Sequence, residues 1–463
     1  MREHDIHCRA KRSKAPPGTL DASCSCVGVV RVVRAQLYPE AWYASFPRAE
    51  LDGNGFREPR NSQANQENLI RINARHEMDD IGQVIGIDEL LNHQIVDTFG
   101  STATSDLGWT EKIWSAMVRK DGKLAIDFGL GRYHNRGVMD GWAAVSRGSE
   151  QWTVRANREL RDDPTLTSVG PLTYEIIEPL EKVRYALARN EVQPIAYDVT
   201  FSARMPPFLE DRHKQRERDG FRIGSDVIRY HQVGVPSGWV EIMGERIEVV
   251  PEEWTEYRDH SWGIRLDVGA HNADVRPSSD FGDVKFGEGE FVLIWSPFML
   301  VTPRGERFAY HFYYMSKQGR IFYSSGYRNH PDGRQEKVAR VRPELRFDDR
   351  TRRLLGGRVH FDMLQGGTHT VEIEVAGTSG VHLGPGLYLG FDGKKHGSWK
   401  GPLDVEGEKF DDTLDPATLK RIRQLRDCPI RVREGDAVGY GIMETIIHGA
   451  HPEIGLTGAN SII

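Results

Sequence analysis

The densest run of reactive side chains in this sequence is residues 231–265, HQVGVPSGWVEIMGERIEVVPEEWTEYRDHSWGIR. Its end, Arg258-Asp259-His260-Ser261-Trp262-Gly263-Ile264-Arg265, sets a carboxylate, an imidazole, an indole and two guanidiniums side by side. A carboxyl group in an apolar pocket keeps its proton because burial disfavours the charged form, and such a group can act as a general acid. Asp259 is the candidate acid, with Trp254, Tyr257 and Trp262 excluding water. A carbocation formed there is stabilised by aromatic faces at about 0.5–2 kcal/mol each. Trp239, Trp295 and Tyr314 are candidates for that task, as are Tyr133 and Trp142 from earlier in the chain. His260 is the candidate base that orders a water for hydration. The competing reading makes Asp259 a structural ion pair with Arg258 or Arg265 and leaves Trp239 and Trp262 to the core.

If the segment is extended, side chains alternate. Asp259 and Ser261 then point one way, and His260 and Trp262 the other. Gly263 would admit a ligand or another backbone. Further polar candidates are Asn135, Asp140 and Gln151, which either reach into a cleft or close turns and cap strands. Arg265 joins them as a binding residue. Glu444 in GYGIMET, among Ile442, Met443, Ile446 and Ile447, is either a buried partnered carboxylate or a solvent-facing strand residue. The sequence has no CxxC, HExxH, P-loop or GxSxG, and His448 and His451 have no third ligand near them. The glycines of GPGLYLG (384–390) do not match GxGxxG. No cofactor and no metal are expected.

The elements that would hold these residues are mostly strands. Leu124, Ile126, Phe128 and Leu130 alternate with Ala125, Asp127 and Gly129, and Phe308, Tyr310, Phe312 and Tyr314 form a second alternating run. Val371, Ile373 and Val375 alternate with Glu372 and Glu374. Further strands are expected over 151–158, 194–204, 238–250, 262–268, 290–300, 320–327 and 385–391. Lys120-Asp121-Gly122, Pro331-Asp332-Gly333 and Gly366-Gly367 read as turns. Helices are expected only over 87–99 and from Asp415-Pro416 to 427, where Asp415 caps and Pro416 opens the helix. The charged, Pro-containing stretch 205–220 reads as a linker.

The remaining arithmetic narrows the class. The chain has 463 residues, with 61 Lys and Arg against 67 Asp and Glu, so it carries no basic footprint for a nucleic-acid partner. Nothing approaches the roughly 20 apolar residues of a membrane helix, so integral membrane association is not expected, while peripheral contact stays open. Four Cys, three of them at positions 8, 24 and 26, do not make a disulfide framework. With no apolar leader at the start, a cytoplasmic location is expected. Residues 1–77 read as an N-terminal extension, disordered or an over-long start with Met78 as the true one; a packed N-terminal arm is the other reading.

The body resembles the hydroxyneurosporene synthase / AttH-like superfamily of carotenoid-hydratase and tocopherol-cyclase-like proteins. The segment SG…GE…W…RDHSWG.R carries the likeness. GRYHNRGVMDGWAAV (131–145), QWTVRA (151–156), VGPLTYEIIEPLEKVR (169–184) and GYGIMETIIHG (439–449) support it. The resemblance spans roughly residues 85–463. It implies two tandem lipocalin-like β-barrels, at 78–210 and 211–463, with RDHSWG in the second. It also implies an apolar pocket for a terpenoid, polyene or polyketide-like molecule and an acid at Asp259 with His260 beside it. The expected function is a cofactor-independent hydratase, cyclase or isomerase; the alternative is a lipid- or terpenoid-binding protein without chemistry. Oligomeric state is left open.

Overall fold

The computed structural model describes residues 89–91, 93, 102–161, 165–216, 222–265, 267–270, 290–458 and 461–462. The chain divides into two units, Met1–Ser62 and Gln63–Ile463, and every described residue belongs to the second. The expected extension 1–77 and most of the expected helix 87–99 lie outside the described residues.

Strands dominate. The first series is β1 (Trp109–Arg119), β2 (Leu124–Tyr133), β3 (Val138–Arg147), β4 (Glu150–Glu159), β5 (Ser168–Val169), β6 (Leu172–Glu178), β7 (Lys182–Leu187), β8 (Ile195–Ala203), β9 (Phe208–Leu209), β10 (His213–Arg216), β11 (Ile223–Ile242), β12 (Glu245–Val249) and β13 (Trp254–Ile264). The second is β14 (Phe291–Val301), β15 (Arg307–Lys317), β16 (Arg320–Asn329), β17 (Gln335–Phe347), β18 (Leu354–Met363), β19 (Thr368–Val375), β20 (Val381–His382), β21 (Leu403–Phe410), β22 (Arg426–Glu434) and β23 (Ala437–His448). The short helix α1 (Pro416–Ile422) begins as expected, with the Asp415 carboxylate accepting from Thr418 N at 2.9 Å. It ends sooner, at Arg423 with φ 64°, because the chain turns into β22.

All strand pairs are antiparallel and form two sheets. The first runs β21-β4-β3-β2-β1-β13-β11-β8-β7-β6-β5, with β9, β10 and β12 also on β11. The second runs β19-β18-β17-β16-β15-β14-β23-β22 and closes on itself because β19 also pairs with β22; β20 adds to β22. This is the tandem lipocalin-like barrel architecture the resemblance implies. Period two decides what each barrel encloses. On β2, Ile126, Phe128 and Leu130 enter the first core with Trp152, Tyr185 and Trp254. On β15, Phe308, Tyr310 and Phe312 enter the second core with Phe298 and Phe361. Each such side chain contributes about 1.5–3 kcal/mol of burial. The opposite faces of the same strands meet in a third cluster between the barrels, containing Trp114, Ala116, Trp142, Tyr257, Leu293, Trp295 and Ile442.

Two expectations need correction. The boundary near residue 210 falls inside the first sheet: Phe208 and His213–Arg216 pair with β11, which pairs with β13. RDHSWG therefore lies on the first sheet, between β1 and β11. The charge run there is an edge ribbon whose Arg212 and Lys214 pair with Asp226. Residues 385–391 form no strand, because Pro385 has no amide hydrogen to give a ladder and Leu387 and Leu389 take positive φ, 72° and 60°. Gly263, at φ 130°, admits a backbone: a Cβ there would meet the Asp226 carbonyl oxygen at 1.9 Å.

Candidate functional site

Residues directly opposite in an antiparallel pair share a face. On the first sheet, Trp114 lies opposite Gly129 and Asp259, and Asp259 lies opposite His231. The next row outward is Lys112, Ser261 and Arg229. On the second sheet, Glu444 lies opposite Asp427 and Trp295, and Trp295 opposite Tyr313. These rows face one another across the barrel interface. Trp114 and Trp295 meet edge to face with centroids 5.0 Å apart, and the Arg229 guanidinium lies 5.8 Å from the Tyr313 ring centre. Trp142 and Tyr388 stand edge to face beside them at 5.8 Å. These rows are not fully sealed: the side chains of Arg229 and Asp259 keep 16% and 14% exposure and Glu444 and Tyr313 are half-buried. The strand β2 leaves room by presenting Ala125, Asp127, Gly129 and Gly131 on this face. A Cβ on Gly129 would meet the Trp142 indole nitrogen at 2.1 Å.

Asp127 from the first sheet and Asp427 from the second adjoin at the bottom of this interface, both fully buried. None of their four oxygens has a hydrogen-bond donor among the described residues, so a proton shared between the carboxyls is the available way to join them. Burial pushes both well above the usual carboxylate range. Asp127 raises Asp427 further, whereas the contact with Asp427 holds back part of the rise at Asp127. Burial, and then Asp427, push Glu444 up as well. Burial pulls the Lys112 amine down to about 8, against the attraction of Asp267. The indole nitrogens of Trp114, Trp142 and Trp295 have no acceptor among the described residues. The interface thus holds neutral carboxyl donors, a readily deprotonated amine and free N–H groups against aromatic walls. That set can give and take protons at neutral pH.

The residues expected from sequence divide into three groups. Asp259, Tyr257, Trp295, Trp142, Arg265 and Glu444 come together at the interface, Arg265 through a 2.7 Å bond to Ser261 Oγ. Asp259 is an ion-pair partner of Arg229, Nε to Oδ2 3.5 Å, and not of Arg258 or Arg265. The expected pairing of Asp259 with His260 is corrected, because alternation sends His260 into the first barrel. There His260 Nε2 donates to Glu111 at 3.0 Å and Nδ1 lies 3.2 Å from the Tyr230 hydroxyl. Trp262 also points away from the interface and stacks on His93 at 3.5 Å, while Trp254 is first-barrel core. Tyr314 packs on the second core, one residue out of phase with Tyr313. Trp239 lies on the outer surface of the β11–β12 hairpin under Arg246, 4.4 Å from its ring centre. Tyr133 is tied to Asp140 at 2.9 Å, and Asn135 holds the loop carbonyls of Thr104 and Asp106, both at 2.7 Å. Gln151 clamps the backbone of His382, joining the two sheets.

Asp127, Asp427, Lys112, Trp114 and Arg229 were missed. A faint signal existed at Asp127, a carboxylate set among Ala125, Gly129 and Gly131 on one face of LAIDFGLGRY. Nothing in the letters links it to Asp427.

Among the described residues, two side-chain groups have metal-ligand chemistry: His93, Glu111 and His260, and Glu210, His231 and His311. In the first group the carboxylate takes a hydrogen bond from each imidazole. In the second, His231 Nε2 is 2.7 Å and His311 Nε2 3.8 Å from the same Glu210 oxygen.

Among solved structures, the chain is similar to a putative AttH from Nitrosomonas europaea, at 13% identity and a TM-score of 0.42, over 73% of this chain and 92% of that one. It is similar to kievitone hydratase from Nectria haematococca at 11% identity and 0.36, over 80% and 95%. CghA with Sch210972 gives 9% and 0.38, over 78% and 95%. No curated protein matches the sequence. No described helix is long and apolar enough to cross a membrane. A family model described as a family of unknown function, DUF8625, matches residues 86–457, and the chain belongs to that family.

Proposed function

We propose that this protein is an acid–base enzyme of the hydratase, cyclase or isomerase type, acting on a hydrophobic small molecule held between the two barrels. The observation that carries this reading is the buried, donorless pair Asp127–Asp427 beneath an aromatic wall. Two carboxyls that cannot both ionise retain a proton at neutral pH, and an acid of that kind protonates a weakly basic carbon or carbonyl. Trp114 and Trp295 offer faces to the positive charge that develops and N–H groups to a substrate oxygen. Lys112 is placed to take up a proton at the end of the cycle, with the amine pulled down to about 8. In this reading Asp259 holds Arg229 at the interface and is not the acid.

The test combines spectroscopy with turnover. Infrared difference spectra on raising the pH should contain a protonated carboxyl band that disappears in Asp127→Asn and Asp427→Asn. Apolar polyenes and polyketide-like probes should yield isomers, ring-closed products or adducts of one water with the wild type only. Equal product from the doubly substituted protein would overturn the assignment. A ligand recovered unchanged from the wild type would favour the binding protein instead.

A further inference from the structure

We propose that Glu210, His231 and His311 form a binding site for a divalent first-row transition metal ion, separate from the Asp127–Asp427 pair. The three come from different elements of the two barrels: Glu210 follows β9, His231 lies on β11 and His311 on β15. All three are buried, and their ligand atoms lie within 4.8 Å of one another. The imidazoles stack with centroids 3.6 Å apart and planes 25° from parallel, which brings both Nε2 atoms to the same edge beside Glu210 Oε2. An ion about 2.1 Å from each ligand sets the ligand atoms roughly 3–3.5 Å apart. The distances of 2.7 and 3.8 Å from Glu210 to the two imidazoles bracket that spacing.

A second observation points to a missing partner. His311 is wholly buried, and neither ring nitrogen makes a hydrogen bond among the described residues. An unpaired buried polar group is costly, and an ion at Nε2 removes that cost. The other Glu210 oxygen is held by the Tyr323 hydroxyl, the kind of outer contact that fixes a carboxylate ligand. Phe208 covers the rings on one side, 5.3 Å from each, and Trp295 borders them on the other at 5.7 Å.

Charge fits a divalent ion bearing an anionic ligand. Arg229 lies 3.4 Å from Glu210 and 3.5 Å from Asp259, so these three groups together carry one negative charge. A divalent ion leaves one positive charge, which a hydroxide or a substrate oxyanion neutralises. Two imidazoles and one carboxylate favour zinc, iron, cobalt or nickel over magnesium or calcium.

The same constellation is closed in the first barrel. There Glu111 accepts from His93 and His260, and His260 is held on its far side by Tyr230, so that group is already satisfied.

The full chain, stripped with a chelator and then titrated with Co²⁺, gives the test. One ion per chain should bind with visible ligand-field bands, and Zn²⁺ should displace it. His311→Ala and Glu210→Gln should each weaken binding by at least about tenfold. Asp127→Asn should leave the cobalt spectrum unchanged, which keeps this test independent of the proposed acid. A wild-type chain that binds no Co²⁺ or Zn²⁺ overturns the proposal without recourse to variants. So does a folded His311→Gln chain, checked by circular dichroism, that binds cobalt as the wild type does.

Discussion

Inside the first barrel and at the interface between the barrels carboxyl groups are buried alike, yet each one's charge follows the partner it has. Inside the barrel, Glu89 meets the Arg258 guanidinium through two bonds of 2.7 and 2.5 Å, with Tyr174 and Tyr230 on the same carboxylate. Burial alone would raise its pKa, but Arg258 and these hydrogen bonds outweigh it and bring Glu89 down to about 2. Glu256, two residues from Arg258, has only the Ser115 hydroxyl, and burial pushes it up to about 8. At the interface, burial pushes Asp127, Asp427 and Glu444 well above the usual carboxylate range, with Arg229 offsetting only part of the rise at Glu444. Burial is common to all; the partner decides the charge. Strands β1 and β13 serve both regions, one through each face, so period two separates the Glu89–Arg258 network from the carboxyls of the interface.

The largest way to break this contrast is to remove the interface acid. Asp427→Asn should cut turnover about 10²–10⁴-fold, measured as product formed per chain, without lowering the urea midpoint at pH 8. Stability should not fall because the folded protein already holds that carboxyl neutral: its contribution is complete at low pH and lost as pH rises through the raised pKa. Inside the barrel the effect should invert. Arg258→Ala leaves Glu89 buried without its cation and should cost about 3–5 kcal/mol in urea unfolding. Replacing both at once, as Glu89→Leu with Arg258→Met, should recover most of that loss.

Acid sharpens the same comparison. Glu89 is depressed, so its contribution is present above about 4.5 and is lost as pH falls toward about 2. The urea midpoint should decline over that range, and less so in the Leu/Met double variant. A smaller effect, about 1–3 kcal/mol in thermal unfolding, is expected for Gly129→Ala, whose methyl group strikes the Trp142 indole.

Sequence periodicity reached the fold, and six of the residues singled out from it lie at the interface proposed as the site. Alternation in Leu124–Leu130 and Phe308–Tyr314 placed strands correctly, and alternation within RDHSWG already implied that Asp259 and His260 part company. The aromatic guesses split on phase: Trp295 faces the interface, but Tyr314 is one residue off from Tyr313, and no single strand reveals which phase meets a partner sheet. Asp127 and Asp427 were illegible because their meaning arises only when two distant strands are brought face to face. The stretch 205–220 misled for a related reason: its described part pairs with β11, with Arg212 and Lys214 on Asp226 and Phe208 and Glu210 buried, so it belongs to the first sheet and is not a hinge.

The return of β21 to the edge of β4 has a consequence for how the molecule is made. Arg155 and Glu406, which join across that seam, stand 251 residues apart in sequence. During synthesis the β4 edge stays unzipped until most of the second barrel has left the ribosome. Such long-range closure slows folding and exposes a sticky margin to neighbouring chains. Cutting the gene between the barrels would therefore yield a first half with an unfinished rim, prone to clump instead of functioning alone.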